Sequence, residues 1–243
     1  MEKLINVYKL NRIDYMKCLK IQKYLLKKQL DSLDKPKSSQ NLDSLLLLEH
    51  EPVYTVGIRR QNYPKEYLEN LRKLNVQVEV TDRGGLITFH GPGQLVAYPI
   101  INLKNYKPAL KWYVSQLEQV VINLCKNEFN LNAYRLCNIG YTGVWSNDSK
   151  IAAIGVHSKR YITYHGTSLN CNVDLKWFGH IIPCGIEDKK VSSLSQLLSK
   201  SDQLTVDFVT PLFLKSFQNQ FECKLVLKNQ KEVDDLVEIA LKD

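Results

Sequence analysis

The chain has 243 residues, enough to bury a substantial core and still within the size of one α/β domain. Hydrophobic residues make up 44% and charged residues 24%, so disorder is not the default, and no apolar run approaches the roughly 18 residues of a membrane span. The net charge of +8 raises nucleic-acid binding, but the basic residues are scattered and no aromatic-interleaved basic stripe accompanies them.

Tyr15, Cys18, Leu19, Gln22, Leu25, Leu26 and Leu30 recur at helical spacing and predict a helix over 13–30. Its outer face carries Lys17, Lys20, Lys23, Lys27 and Lys28: either a solvated face or a landing surface for acidic proteins. The first 30 residues hold one arginine and no serine, so the segment reads as a folded helix and not as a cleavable presequence. Asp31–Asp43 is polar, contains Pro36 and predicts a loop.

Strands are predicted at 45–48 and 53–56 around Glu51-Pro52, and a short helix from Pro64 to about Leu74. Val76, Val78 and Val80 alternate with polar residues as a one-sided strand does. The almost wholly apolar Leu95–Ile101 belongs in the middle of a sheet. A long amphipathic helix follows over 109–129, then strands near 143–145, 151–156, 161–164 and 169–173. Ser193 caps a helix over 194–198, and helices are predicted over 206–221 and 232–241. Helices at both ends with strands between them predict one α+β domain over 1–243, without internal repeats.

Four segments carry chemistry. Arg83-Gly84-Gly85-Leu86-Ile87-Thr88-Phe89-His90-Gly91-Pro92-Gly93-Gln94 holds four glycines, so its backbone turns sharply or approaches a ligand closely. It has neither the Gly-Lys-Ser/Thr of a phosphate loop nor the G-x-G-x-x-G order, and His90 taken alone fits a structural histidine as well as a base. Lys150 precedes the small apolar stretch Ile151-Ala152-Ala153-Ile154-Gly155; it is either an ordinary strand-end lysine or a desolvated acid/base. In Tyr164-His165-Gly166-Thr167-Ser168-Leu169-Asn170, amides around the glycine can bind a carbonyl oxygen or an oxyanion.

The fourth is Pro183-Cys184-Gly185. Six cysteines without a signal segment or a C-x-x-C pair point to a reducing compartment, where most thiols are buried hydrophobes. A cysteine between Pro and Gly sits on a turn with little cover, unlike Cys18 or Cys125 on helix faces, which makes Cys184 a better candidate for chemistry than those two. Spacing alone does not bring Lys150 to Cys184.

Together these segments resemble the lipoyl(octanoyl) transferases, whose pattern Arg-Gly-Gly … Thr-aromatic-His-Gly-Pro-Gly-Gln is met at Arg83–Gln94. The Lys-Ile-Ala strand is met at Lys150, the His-Gly … Leu-Asn turn at His165–Asn170, and Pro-Cys-Gly at Pro183–Gly185. The likeness covers about residues 4–227; Tyr141–Trp145 and Pro211–Phe217 are most similar to the eukaryotic, mitochondrial branch. One departure is Thr167-Ser168, where the family usually carries Leu-Ala.

The resemblance implies a central mixed sheet flanked by helices, as in biotin and lipoate protein ligases. It implies octanoyl transfer from acyl carrier protein, through a Cys184 thioester tuned by Lys150, to a lysine of a lipoyl domain. Glycine cleavage H protein and 2-oxoacid dehydrogenase E2 would be acceptors. Arg83, Gly84, Gly85, Leu86, Ile87, Thr88, Phe89, His90, Ala153, Ile154, Gly155, His165, Gly166, Thr167 and Ser168 would bind substrate. No cofactor, metal, nucleic acid or membrane is implied; the expected protein is a mitochondrial monomer, with a bacterial-type cytoplasm as the alternative. The nearest rival is an ATP-dependent lipoate or biotin ligase, which needs no Cys184; a more distant one is a basic nucleic-acid-binding module.

Overall fold

A computed structural model describes residues 3–33, 42–136, 141–181, 190–200 and 203–242. In chain order the elements are β1 (Lys3–Ile13), α1 (Tyr15–Leu33), β2 (Ser44–His50), β3 (Val53–Val56), α2 (Lys65–Arg72), β4 (Gln77–Val80), β5 (Thr88–His90) and β6 (Gln94–Ile100). They continue with α3 (Leu110–Phe129), β7 (Val144–Ser146), β8 (Ser149–Lys159), β9 (Ile162–Asn170), β10 (Lys190–Val191), α4 (Leu194–Leu198), α5 (Val206–Phe221), β11 (Cys223–Leu227) and α6 (Gln230–Lys242).

Among the described residues the main sheet has the order β10-β8-β9-β6-β2-β1-β11, with β7 paired to β8. It is mixed: β6 is antiparallel to both neighbours, whereas β1 runs parallel to β2 and to β11. A small sheet, β4-β3-β5, stands apart from it.

The four-leucine run shows why the main sheet lies between helices. Leu45 and Leu47 join the cluster formed with α3 and α5, while Leu46 and Leu48 join the cluster formed with α1 and α6. All four are at most 3% exposed, and each contributes about 2 kcal/mol of hydrophobic stabilisation. A strand covered on both faces loses the alternation of a one-sided strand.

Two expectations are corrected. The first thirteen residues were assigned no strand, yet β1 is an interior strand with Ile5 and Val7 on one face and Leu10 on the other. The strands expected at 161–164 and 169–173 are a single strand, β9, which bends at His165 (φ 56°) without leaving its ladder with β8. The strands expected at 45–48 and 53–56 are β2 and β3, and Glu51-Pro52 between them carries the chain from the large sheet into the small one. β5, β10 and β11 were also not foreseen.

Candidate active site

The Arg83–Gly85 segment connects the two sheets. Arg83 donates from Nε and Nη2 to Thr55 Oγ1 on β3, at 3.2 and 2.8 Å, and from Nη1 to the Gly84 carbonyl at 3.0 Å. The Gly84 amide donates to the Val156 carbonyl on β8 at 3.0 Å. Next to it, Asp82 accepts from His165 Nε2 at 2.9 Å and from the Tyr164 hydroxyl at 2.5 Å. The His165 bond does most to hold the Asp82 carboxyl far below the usual carboxylate range. Burial lowers His165, whose Nδ1 is sealed from solvent without a hydrogen-bond partner among the described residues.

Between these layers lies a narrow cavity of about 40 Å³. Beside it the β6–β9 ladder runs from Gln94 to Ala97 and stops short of Pro99. Proline has no N–H to give that ladder; the Thr163 hydroxyl donates instead to the Pro99 carbonyl at 2.8 Å. Opposite, Gly155 and Gly166 face each other in the β8–β9 register. A Cβ on Gly166 would stand 2.1 Å from the Ala97 carbonyl oxygen, so only glycine lets β9 run this close to β6.

Of the residues expected to bind substrate, Arg83, Gly85, Leu86, Thr88 and His90 line this cavity from the glycine-rich side. Ala153, Ile154, Gly155, Gly166, Thr167 and Ser168 line it from β8 and β9. Gly84 and His165 act through the bonds just described. Ile87 and Phe89 pack with Tyr54 and Phe178 in the core of the small sheet. Thr167, at the position of the departure from the family pattern, donates to the Ala153 carbonyl at 3.2 Å.

Lys150 is 5% exposed on β8, opposite Trp145. Its ammonium donates to the Thr142 carbonyl at 3.1 Å and lies 4.9 Å from the Trp145 ring centroid. A carbonyl and an aromatic face both favour a buried cation. Gly143 closes this corner with φ 133°; a Cβ there would meet the Ala152 oxygen at 2.5 Å and Lys150 Cε at 3.3 Å. Its amide donates to Glu118 Oε1 at 3.0 Å. Burial raises the Glu118 carboxyl, against the Gly143 bond and the charges of Arg135 and Lys150.

Val191 of β10 pairs with Lys150, and the Ser192 amide donates to the Lys150 carbonyl at 3.0 Å. Cys184 and the rest of 182–189 lie outside the described residues, as does Cys137. Cys18, Cys125, Cys171 and Cys223 are buried, and burial pushes their thiols up, to about 12 for Cys125 and Cys171 and about 11 for Cys223. Among the described residues no cluster of His, Cys, Asp and Glu could hold a metal, and no helix is long and apolar enough to cross a membrane.

The family model of the lipoyl protein ligase A/B catalytic domain matches residues 14–218. The chain belongs to this family. It is 48% identical over 216 residues to the mitochondrial octanoyl-[acyl-carrier-protein]:protein N-octanoyltransferase of Danio rerio, covering 89% of this chain and 92% of that one. The Homo sapiens protein of the same name is 41% identical over 224 residues, covering 91% and 95%. A solved T. acidophilum structure with bound lipoic acid shares the fold, with a TM-score of 0.73 at 11% identity over 100% of this chain and 95% of that one.

Within this ligase A/B fold, the sequence reading missed Asp82, Tyr98 and Glu118. Glu118 left a signal: it is an acid beside Leu117 and Val121 on the buried stripe of α3. Tyr98 was counted as part of an apolar strand, and its hydroxyl donates to His50 Nε2 at 2.9 Å. Asp82 left none, because its partners are 82 and 83 residues away in sequence.

Proposed function

We propose that this protein is a mitochondrial acyltransferase that moves an octanoyl group from octanoyl-acyl carrier protein to a lysine of a lipoyl domain, through a thioester on Cys184. Acceptors of this kind are the glycine cleavage H protein and 2-oxoacid dehydrogenase E2. The observation that carries the reading is the 48% identity, spread over nine-tenths of both chains, to a protein named for that transfer.

Three features of the structure support the chemistry. The four described cysteines are buried and raised, which makes them poor nucleophiles. Lys150 is a desolvated cation held by one carbonyl and one ring. The chain that follows Cys184 rejoins the sheet as β10, alongside Lys150.

In the first half-reaction the Cys184 thiolate attacks the donor thioester, the C–S bond to the carrier breaks, and the carrier thiolate leaves with a proton from the Lys150 ammonium, which becomes the neutral amine. A free thiol is only a few per cent ionised at neutral pH, so a cation beside it raises the reactive fraction. In the second, the neutral lysine amine attacks, forming the C–N bond and expelling Cys184. Lys150 in its neutral form accepts the proton the nitrogen sheds. Thioester-for-thioester exchange is nearly balanced and thioester to amide runs downhill, so no ATP is consumed.

The test is intact-mass spectrometry of purified protein mixed with octanoyl-acyl carrier protein, without nucleotide. One octanoyl adduct mapped to Cys184, and absent from Cys184→Ser, is expected. An adduct that persists on Cys184→Ser puts the nucleophile elsewhere. Release of pyrophosphate from ATP with free octanoate, and no adduct, makes the protein a ligase.

A further inference from the structure

Lys150 is held by the oxygen of one peptide bond, and Glu118 holds the hydrogen of the same bond. The Lys150 ammonium donates to the Thr142 carbonyl at 3.1 Å, and the Gly143 amide donates to Glu118 Oε1 at 3.0 Å. Thr142 C=O and Gly143 N–H are the two polar ends of the peptide that joins these residues. In a trans peptide they point in opposite directions, so a partner fixed at one end sets the direction of the other. The two bonds also polarise the same amide, and each strengthens the other.

The surroundings leave this peptide as the part that needs holding. On one side the Trp145 indole donates to the Tyr141 carbonyl at 3.0 Å; on the other, Trp145 pairs with Lys150 in the β7–β8 ladder. Between these anchors Gly143 sits at φ 133°, where a Cβ would meet the Ala152 oxygen at 2.5 Å. The space demands glycine, and glycine leaves the preceding peptide free to rotate. A flip would turn the Thr142 carbonyl away from Lys150. Glu118 opposes that flip from the buried stripe of α3, beside Leu117 and Val121 and only 6% exposed. Burying a carboxylate there is costly unless partners offset it, and the Gly143 amide with the charges of Arg135 and Lys150 does so.

We propose that Glu118 is a positioning residue for Lys150: it locks the Thr142–Gly143 peptide so that the Thr142 carbonyl keeps the Lys150 nitrogen in place. The inference rests on the reading that Lys150 is the acid and base of octanoyl transfer. A lysine nitrogen has N–H bonds to donate both as ammonium and as amine, so the carbonyl holds it before and after it gives up its proton. Glu118 itself takes no proton and touches no substrate.

Glu118→Leu removes the acceptor at similar volume, and Glu118→Gln restores one through its amide oxygen. Single-turnover mass spectrometry of loading from octanoyl-acyl carrier protein should find Glu118→Leu slowed about 10-fold, the size of one lost hydrogen bond to a charged group. Glu118→Gln should recover most of that loss. In the Lys150→Ala background Glu118→Leu should cost nothing further, because its effect runs through Lys150. A Gln variant as slow as the Leu variant, or losses that multiply in the double variant, overturn the assignment. Hydrogen exchange read by NMR needs no variant to fold: the wild-type Gly143 amide should be protected, and exchange as fast as that of an exposed loop amide overturns the tether. A wild-type protein that never loads octanoyl refutes the function reading, while the Gly143 amide still judges the tether separately.

Discussion

Replacing Asp43 by Asn should stabilise the protein at neutral pH and above, by an advantage that grows as pH rises to about 7 and then levels off. Asp43 is 4% exposed, and its Oδ1 accepts from the Asn102 amide at 2.9 Å. Burial pushes its carboxyl up to about 7, against hydrogen bonds from Asn102 and Asn105. In the unfolded chain the same group has its ordinary value near 4. Between those two values the native state holds a proton that the unfolded state has released, so stability falls as pH rises through this window and levels off above it. At about 1.4 kcal/mol per unit, the full cost is roughly 4 kcal/mol.

Asparagine keeps an oxygen for the Asn102 amide and carries no charge to desolvate. Urea unfolding of both proteins, at steps from about pH 5 to about pH 8, gives the difference directly. The advantage of Asp43→Asn should grow by about 1.4 kcal/mol per unit until Asp43 is ionised in both states. A difference that stays flat across this range refutes the claim that Asp43 is buried and raised.

Lys150→Ala should slow iodoacetamide labelling of Cys184 at neutral pH, read by peptide mapping; an unchanged rate removes the thiol-tuning role. Gly166→Ala forces a Cβ against the Ala97 carbonyl and should cost about 1–3 kcal/mol in urea unfolding. Gly179→Ala meets nothing within 4 Å and should stay within about 0.5 kcal/mol of wild type, which makes it the control. Thr205 caps α5 by accepting from the Phe208 amide at 3.3 Å, and Thr205→Ala should lower the thermal midpoint by an amount equivalent to about 1 kcal/mol.

The long helices were legible from apolar stripes and the short ones from start signals such as Pro64 and Ser193, and α4 and α5 fall where the sequence predicts them. Leu95–Ile101 announced a central strand for the same reason, since burial on two faces removes alternation. What periodicity could not supply was partnership. Nothing local in Lys3–Ile13 says that it lies between β2 and β11, and nothing in Asp82 says that it binds His165. The glycine-rich segment was legible as a close approach; the partner of that approach, Val156 on β8, was not. His90 was left open between structure and chemistry; its Nδ1 serves the fold, at 2.7 Å from Gln94 Oε1.

The pairing of β1 with β11 sets Lys3 opposite Cys223, and with it a constraint on how the protein is assembled. Contacts between residues so far apart in sequence form late, because the loop between them must close first. A chain made from its N-terminus exposes one edge of β1 until Cys223–Leu227 has been synthesised. During that interval Ile5 and Val7 border an unpaired strand edge, the kind of surface that recruits other chains. Refolding yield should therefore fall with protein concentration more steeply than native stability suggests, and dilute or chaperoned refolding is the condition in which the sheet can close.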